Sequence, residues 1–374
     1  MTVDQPAVIE AAVLTGVGTL LATRTPCPAP AAGEILVEVL GCTLCGSDLH
    51  TFSGRRSGPL PCVLGHEIVG RVIAIGPAEK TGPRRDLNQN VIAVGDRIVW
   101  AIVASCGRCD RCRRGLPQKC LAGIKYGHVV ASPGSPPRGG LATHCLLAAG
   151  TSIVRLPASL SLEAACPAGC ATATVAAALE PAGDLEGRNV LIFGLGMLGL
   201  TAAAMARSRG ASRVIGIDPS PQRRAVAPPF GVTRSCSPPE LAGVRDGRRP
   251  DAESTDLVLE MSGAPAAVAA AIDACSVGGA VHLIGSVFPA GEVGIDPEQL
   301  VRKLLTVRGI HNYAPRHLAA AVTFLTDHAH VYPFNGLVTA WYPLARAAEA
   351  FDAAAAAKHI RVGVRPSAGA SRSP

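Results

Sequence analysis

The rhythm of apolar and polar positions changes near Asn189. Before it, short β-branched runs such as Glu34 to Leu40 and Ile68 to Ile75 are punctuated by Gly and Pro, which predicts an antiparallel β-domain. The polar stretch 80–90 reads as an exposed loop and Gly134 to Gly140 as a flexible connection. After Asn189, apolar runs alternate with alanine-rich stretches of helical length. The predicted strands are Val190–Phe193, Arg213–Ile217, Leu257–Leu259, Ala280–Ile284 and Thr306–Gly309. Strands spaced by helices imply βαβ units and a parallel sheet covered on both faces. Residues 228–255, rich in Pro, Arg and Ser, give no readable element. Helical patterns follow at Leu318–His328 and Leu344–Lys358, then a strand, Ile360–Val364, and a disordered-looking tail, residues 367–374.

A length of 374 residues suggests two domains, and 48% hydrophobic against 17% charged residues gives each a core. The N-terminus lacks a basic segment followed by an apolar one, and no apolar stretch is long enough to span a bilayer. The expectation is a cytoplasmic protein that does not bind membranes. Net charge is +7, but the arginine pairs are scattered and aromatics make up 3%, so nucleic acid is not an expected partner. Thirteen cysteines in such a chain suggest metal ligands and buried thiols rather than a disulfide framework.

Cys106, Cys109, Cys112 and Cys120 follow C-x2-C-x2-C-x7-C. Four thiolates at that spacing can close a tetrahedron around one Zn²⁺, with no position left for substrate, so this is a structural site. A catalytic zinc needs about three protein ligands and an open fourth position. Candidates are Cys45, Ser47, Asp48 and His50 in one short segment, His66 and Glu67 in another, and Cys170 in Ala168 to Thr174. On residue chemistry alone Cys42, Cys62 and Cys166 compete as ligands.

The apolar run Val190 to Phe193 enters G-x-G-x-x-G at Gly194, Gly196 and Gly199, followed by a helix-like stretch. This is a dinucleotide turn: the glycines permit a tight turn, close approach of a pyrophosphate and packing of helix on strand. A second strand ends in Asp218, 19 residues past Gly199, where a carboxylate would bind the ribose hydroxyls and repel a 2′-phosphate. NAD is therefore favoured over NADP, with Arg223 and Arg224 leaving some room for the latter.

These segments together resemble the zinc-containing medium-chain alcohol dehydrogenase family. The resemblance runs from about residue 10 to 365 and rests on Cys45 to His50, Gly65 to Gly70, the four-cysteine loop and Gly194 to Gly199. It implies an α/β fold: a GroES-like β-rich catalytic domain, residues 1–171 and 315–374, plus a Rossmann-type doubly wound parallel-sheet domain, 172–314. It selects Cys45, His66 and Cys170 as ligands of a catalytic zinc, for two zincs per chain, with Glu67 near that metal and Asp48 behind His66. Ser47 and His50 would relay a proton through the cofactor ribose, and Arg361 would contact pyrophosphate. Where some members carry Arg after the first ligand cysteine, this chain has Gly46.

The implied activity is reversible hydride transfer between an alcohol and its carbonyl, by a homodimer or homotetramer. Leu116 to Cys120, Lys125 to His128 and Gly309 to His317 look similar to a branch associated with phosphonate catabolism. That likeness would make the substrate a hydroxyalkylphosphonate gripped by Arg55, Arg56 or Arg316. Polyol or amino-alcohol oxidation is the alternative within the family. A non-enzymatic zinc module that binds nucleic acid or a protein is the alternative outside it.

Overall fold

The computed structural model describes residues 6–78, 82–244 and 254–366. The chain forms two compact units: Met1–Ala173 with Ala314–Ala329 and Phe334–Pro374, and Thr174–Tyr313 with His330–Pro333.

The first unit is built on a seven-stranded sheet. Its order is Ile153–Arg155, Arg97–Trp100, Glu67–Ile75, Ile35–Thr43, Arg361–Arg365 and Val338–Pro343, with His144–Leu147 also pairing Ile35–Thr43. Ile35–Thr43 alternates apolar residues onto two cores and is buried along most of its length. It runs three residues beyond the predicted Leu40, and its partner starts one residue before the predicted Ile68. Those extensions matter, because the register then sets Thr43 opposite Glu67 and Gly363. The final strand is therefore delivered to the same end of the sheet as the Gly65 to Glu67 segment.

Two loop expectations need refining. The stretch 82–90 is mostly exposed as expected (80 and 81 lie outside the described residues), but Asp86 within it is buried and organises the turn. Its Oδ1 accepts the amides of Asn88 at 2.9 Å and Asn90 at 2.8 Å, and Oδ2 that of Arg155 at 3.2 Å. A polar sequence was no guide here, since one carboxylate can satisfy several backbone donors out of water. Asp86→Ala is expected to cost about 3 kcal/mol, measured by urea denaturation, because those amides lose their acceptor. An unchanged midpoint would mean that water replaces the carboxylate. Gly139 and Gly140, expected to be flexible, are likewise packed, with the Gly140 amide on the Gly65 carbonyl at 2.8 Å.

The second unit holds six parallel strands in the order Arg234–Cys236, Arg213–Ile217, Asn189–Phe193, Leu257–Glu260, Ala280–Leu283 and Thr306–Gly309. Strand order reverses direction at Asn189–Phe193, the position where doubly wound sheets bind nucleotides. The five predicted strands are present within a residue at each end. Arg234–Cys236 was missed because it is a three-residue edge strand with two polar positions. The helices near the C-terminus run Pro315–His328 and Ala347–Ala355, the latter after a 3-10 turn, Leu344–Arg346. The predicted tail, 367–374, lies outside the described residues. Among the described residues no single helix is long and apolar enough to cross a membrane.

Candidate active site

The short helix Gly46–Phe52 is started by its own third residue. Asp48 reaches back so that Oδ2 accepts the Cys45 amide at 2.9 Å, half of a capping box. Its Oδ1 accepts the Gly65 amide and faces His66 Nδ1, each at 3.2 Å. The carboxylate that caps the helix thus also orients the imidazole on the neighbouring segment. With Nδ1 held by Asp48, Nε2 is the atom free to ligate, and it lies 3.4 Å from Ser47 Oγ.

Cys170 sits between the 3-10 turn Cys166–Gly169 and the helix Ala171–Leu179, in a conformation belonging to neither. That break aims its sulfur away from the helix axis. The ligand atoms of Cys45, His66 and Cys170 all lie within 4.8 Å of one another. Tetrahedral zinc with Zn–S near 2.3 Å needs sulfurs about 3.7 Å apart, so small adjustments suffice. Cys42, Cys62 and Cys166 are buried elsewhere and join no such group among the described residues. Two thiols and an imidazole are the donor chemistry of a zinc site with one position open.

The metal-free charges support this reading. The Cys170 thiol donates to Cys45, which holds Cys45 well below the usual thiol range despite burial, and Cys170 is raised in return. Burial lowers His66, but the Asp48 carboxylate and Cys45 together outweigh it and push the imidazole up to about 10. Near neutral pH, metal uptake must therefore displace protons from the triad, His66 and Cys170 being raised. Zinc affinity at this site is expected to fall at least about tenfold for each pH unit lowered between 8 and 6. Chelator competition measures it, and a flat profile would show that the triad carries no such protons.

Glu67 is fully buried beside the triad. Its Oε2 accepts the Thr43 hydroxyl at 2.6 Å and its Oε1 the Arg361 guanidinium at 2.7 Å. Burial pushes this carboxyl up to about 7, and Arg361 limits the rise. Arg361, the residue expected to contact pyrophosphate, has a side chain only 10% exposed that pairs with Glu67 through one guanidinium nitrogen, because its strand lies beside Ile35–Thr43, while its buried Nε has no partner among the described residues. His50 is half-buried, and burial followed by the charge of Arg55 lowers it below its ordinary range, so it is neutral near pH 7.

The four-cysteine loop closes as a second cluster, its sulfurs within 4.8 Å of one another. Cys109 Sγ is 3.5 Å from Cys112 Sγ and 3.9 Å from Cys120 Sγ, and the Cys106 amide points at Cys120 Sγ at 3.3 Å. Backbone amides of Leu121 and Cys112 pull Cys109 down to about 6, which readies a thiolate for metal.

In the second unit, Asn189–Phe193 runs through the glycine turn into the helix Met197–Ser208. A side chain at Gly199 would collide with the Gly194 carbonyl, so helix and turn meet as closely as backbone allows. Asp218 is buried, and its oxygens accept the amides of Leu195 and Ser220, both at 2.8 Å. Each oxygen keeps lone pairs for a ribose hydroxyl. Arg223 lies 3.9 Å from Asp218, whereas Arg224 is spent on the Asp218 and Pro219 carbonyls.

Sequence reasoning assigned no role to Thr43, Lys125 or His128. His128 is tilted against His66, with ring centroids 5.2 Å apart and planes at 37°, and its buried Nε2 has no hydrogen-bond partner among the described residues. A lysine and a histidine flanking Gly127, in an otherwise apolar surrounding, were the available signal.

Comparison with known proteins agrees with this layout. Residues 31–158 match the family model described as alcohol dehydrogenase GroES-like domain, and residues 198–327 that described as zinc-binding dehydrogenase. L-threonine 3-dehydrogenase of Deinococcus deserti is 33% identical over 302 residues, 77% of this chain and 79% of that protein. The enzyme of that name from Pyrococcus horikoshii is 34% identical over 305 residues, 78% of each. An alcohol dehydrogenase from Thermotoga maritima superposes with TM-score 0.86 at 28% identity, covering 96% of this chain and 100% of that one. A zinc-binding dehydrogenase from Sinorhizobium meliloti bound to NADP gives 0.83 at 25% identity, with 96% and 100% covered. By relatives of that identity and coverage, this chain belongs to the zinc-containing medium-chain alcohol dehydrogenase family.

Proposed function

We propose that the protein is an NAD-linked alcohol dehydrogenase with one catalytic and one structural zinc per chain. The observation that carries this reading is the convergence of Cys45, His66 and Cys170 with Asp48 behind the imidazole. When bound, zinc would act as a Lewis acid on the substrate oxygen and the nicotinamide would accept the hydride. Cys45, His66 and Cys170 would hold the metal, and their two negative charges would balance it. Asp48 fixes the tautomer of His66. Ser47 Oγ receives the alcohol proton, and neutral His50 takes it onward. Ser47→Ala should therefore lower turnover about 100-fold with zinc content unchanged, as for loss of one proton-transfer group. Normal turnover would remove Ser47 from that path.

Asp218 supports NAD, since a buried carboxylate disfavours a 2′-phosphate. Arg223 beside it leaves NADP as the lesser cofactor, and the Sinorhizobium meliloti protein holds NADP.

A second reading, oxidation of an amino alcohol such as L-threonine, is favoured by the names of the relatives at 33% and 34% identity. None of the relatives reported above is named for a phosphonate. A screen that follows reduced nicotinamide absorbance over simple alcohols, polyols, L-threonine and hydroxyalkylphosphonates tests both readings. No turnover with zinc and either nucleotide would end the dehydrogenase proposal.

A further inference from the structure

The turn Lys125 to His128 is pressed onto the ligand segment. Gly127 has φ +75°, and a Cβ there would lie 2.8 Å from the Gly65 carbonyl oxygen and 3.2 Å from His66 Cβ. Only glycine fits such an approach, so the turn is fixed against the metal triad. Lys125 opens this turn, at the end of the two-residue strand Ile124–Lys125 held antiparallel to Val103–Ala104. Its side chain is half-buried, and neither it nor the side chain of half-buried Arg56 has a hydrogen-bond or ion-pair partner among the described residues.

Most of the charges that Lys125 feels belong to the site. Arg56 repels it, as does Lys119 of the four-cysteine loop, and the sulfurs of Cys170 and Cys45 attract it. Burial lowers it to about 8, so it remains mainly protonated at neutral pH. Zinc would neutralise both sulfurs and leave the ammonium without an offsetting charge. The other nearby anions are already committed: Glu67 to Arg361 and Thr43, Asp48 to His66 and two amides. A half-buried cation without a counter-charge is costly unless a ligand supplies one.

We propose that Lys125 is a specificity-determining residue that pairs with an anionic group on the substrate, with Arg56 adding to the attraction. The substrate class is then a hydroxy acid or a hydroxyalkyl anion of the same charge, not a plain alcohol. This rests on the dehydrogenase reading above. Carboxylate and phosphonate share the chemistry, and matched probes separate them.

The test compares kcat/KM for 3-hydroxybutyrate with 3-hydroxybutyramide, and for 2-hydroxyethylphosphonate with its dimethyl ester. In at least one pair the anion is expected to be preferred at least about tenfold, and the pair that shows it identifies the group. Lys125→Met should lower the preferred anion about 30-fold and its neutral partner threefold or less, the worth of one hydrogen bond to a charged group. Lys125→Arg should restore most of the loss. Equal use of anion and neutral partner in both pairs, or equal loss for both in Lys125→Met, overturns the proposal. Calorimetric binding of butyrate and ethylphosphonate to the zinc-loaded, nucleotide-free protein gives a readout without turnover. If neither these probes nor any compound of the wider screen is oxidised, the dehydrogenase reading fails, while Lys125-dependent anion binding in calorimetry would still uphold the cation's role and its absence would sink it.

Discussion

Cys170→Ala is expected to leave one zinc per chain in place of two and to lower turnover at least about 1000-fold. Its sulfur is one of three converging donors, and two protein donors fall short of the three that a catalytic zinc needs. A bound metal supplies several kcal/mol of charge stabilisation to the reacting oxygen, and each 1.36 kcal/mol is tenfold in rate. Alanine fits where cysteine stood, so the fold and the four-cysteine loop should persist, and elemental analysis should still find the second zinc. Cys166→Ala is the control, because that buried thiol belongs to no ligand group and its loss should change neither zinc content nor rate. Two zincs and undiminished turnover in Cys170→Ala would remove the residue from the metal site.

Arg361→Leu should destabilise the protein by about 3–5 kcal/mol, because it strands a fully buried carboxylate. The pH dependence has a definite sign. Glu67 titrates near 7 in the native state, against about 4.3 in an unfolded chain. A raised native value means that this group's contribution is greatest below about pH 4 and is lost as pH rises toward 7. Without Arg361 the native value would climb further, so the variant should go on losing stability above pH 7. Urea midpoints at pH 5.5 and pH 8 measure this in zinc-free protein. Adding Glu67→Gln to the variant should recover most of the loss, since no charge is then left unpaired. A variant as stable as the parent at both pH values would show that the pair contributes nothing.

Much of the second unit was legible because its strands are buried on both faces and read as continuous apolar runs between helices. The exception, Arg234–Cys236, is an edge strand with only one buried residue, which leaves no pattern to read. In the first unit three strands were named, though not their exact ends, whereas others such as Val8–Gly16, Arg97–Trp100 and Val338–Pro343 were not. Glu67 read as the residue after a ligand histidine, whereas it begins a strand whose register brings it to Thr43. Ligand choice among Cys42, Cys45, Cys166 and Cys170 could not come from spacing, because burial and direction decide it. The pairing of Glu67 with Arg361 was invisible for the same reason: it joins residues 294 apart. Lys125 stood in plain sight but without context, since a lysine draws notice only when its neighbours turn out to be sulfurs and another cation.

The final strand has a consequence for how the protein is made. Arg361–Arg365 inserts between Ile35–Thr43 and Val338–Pro343, so the sheet stays open until residues 361–365 have left the ribosome. Until then the Glu67 carboxylate has no guanidinium to meet and cannot be buried cheaply. A nascent chain would therefore hold its ligand cysteines in an unfinished state until that strand emerges, and a product cut short before Arg361 would be a natural substrate for proteolytic clearance.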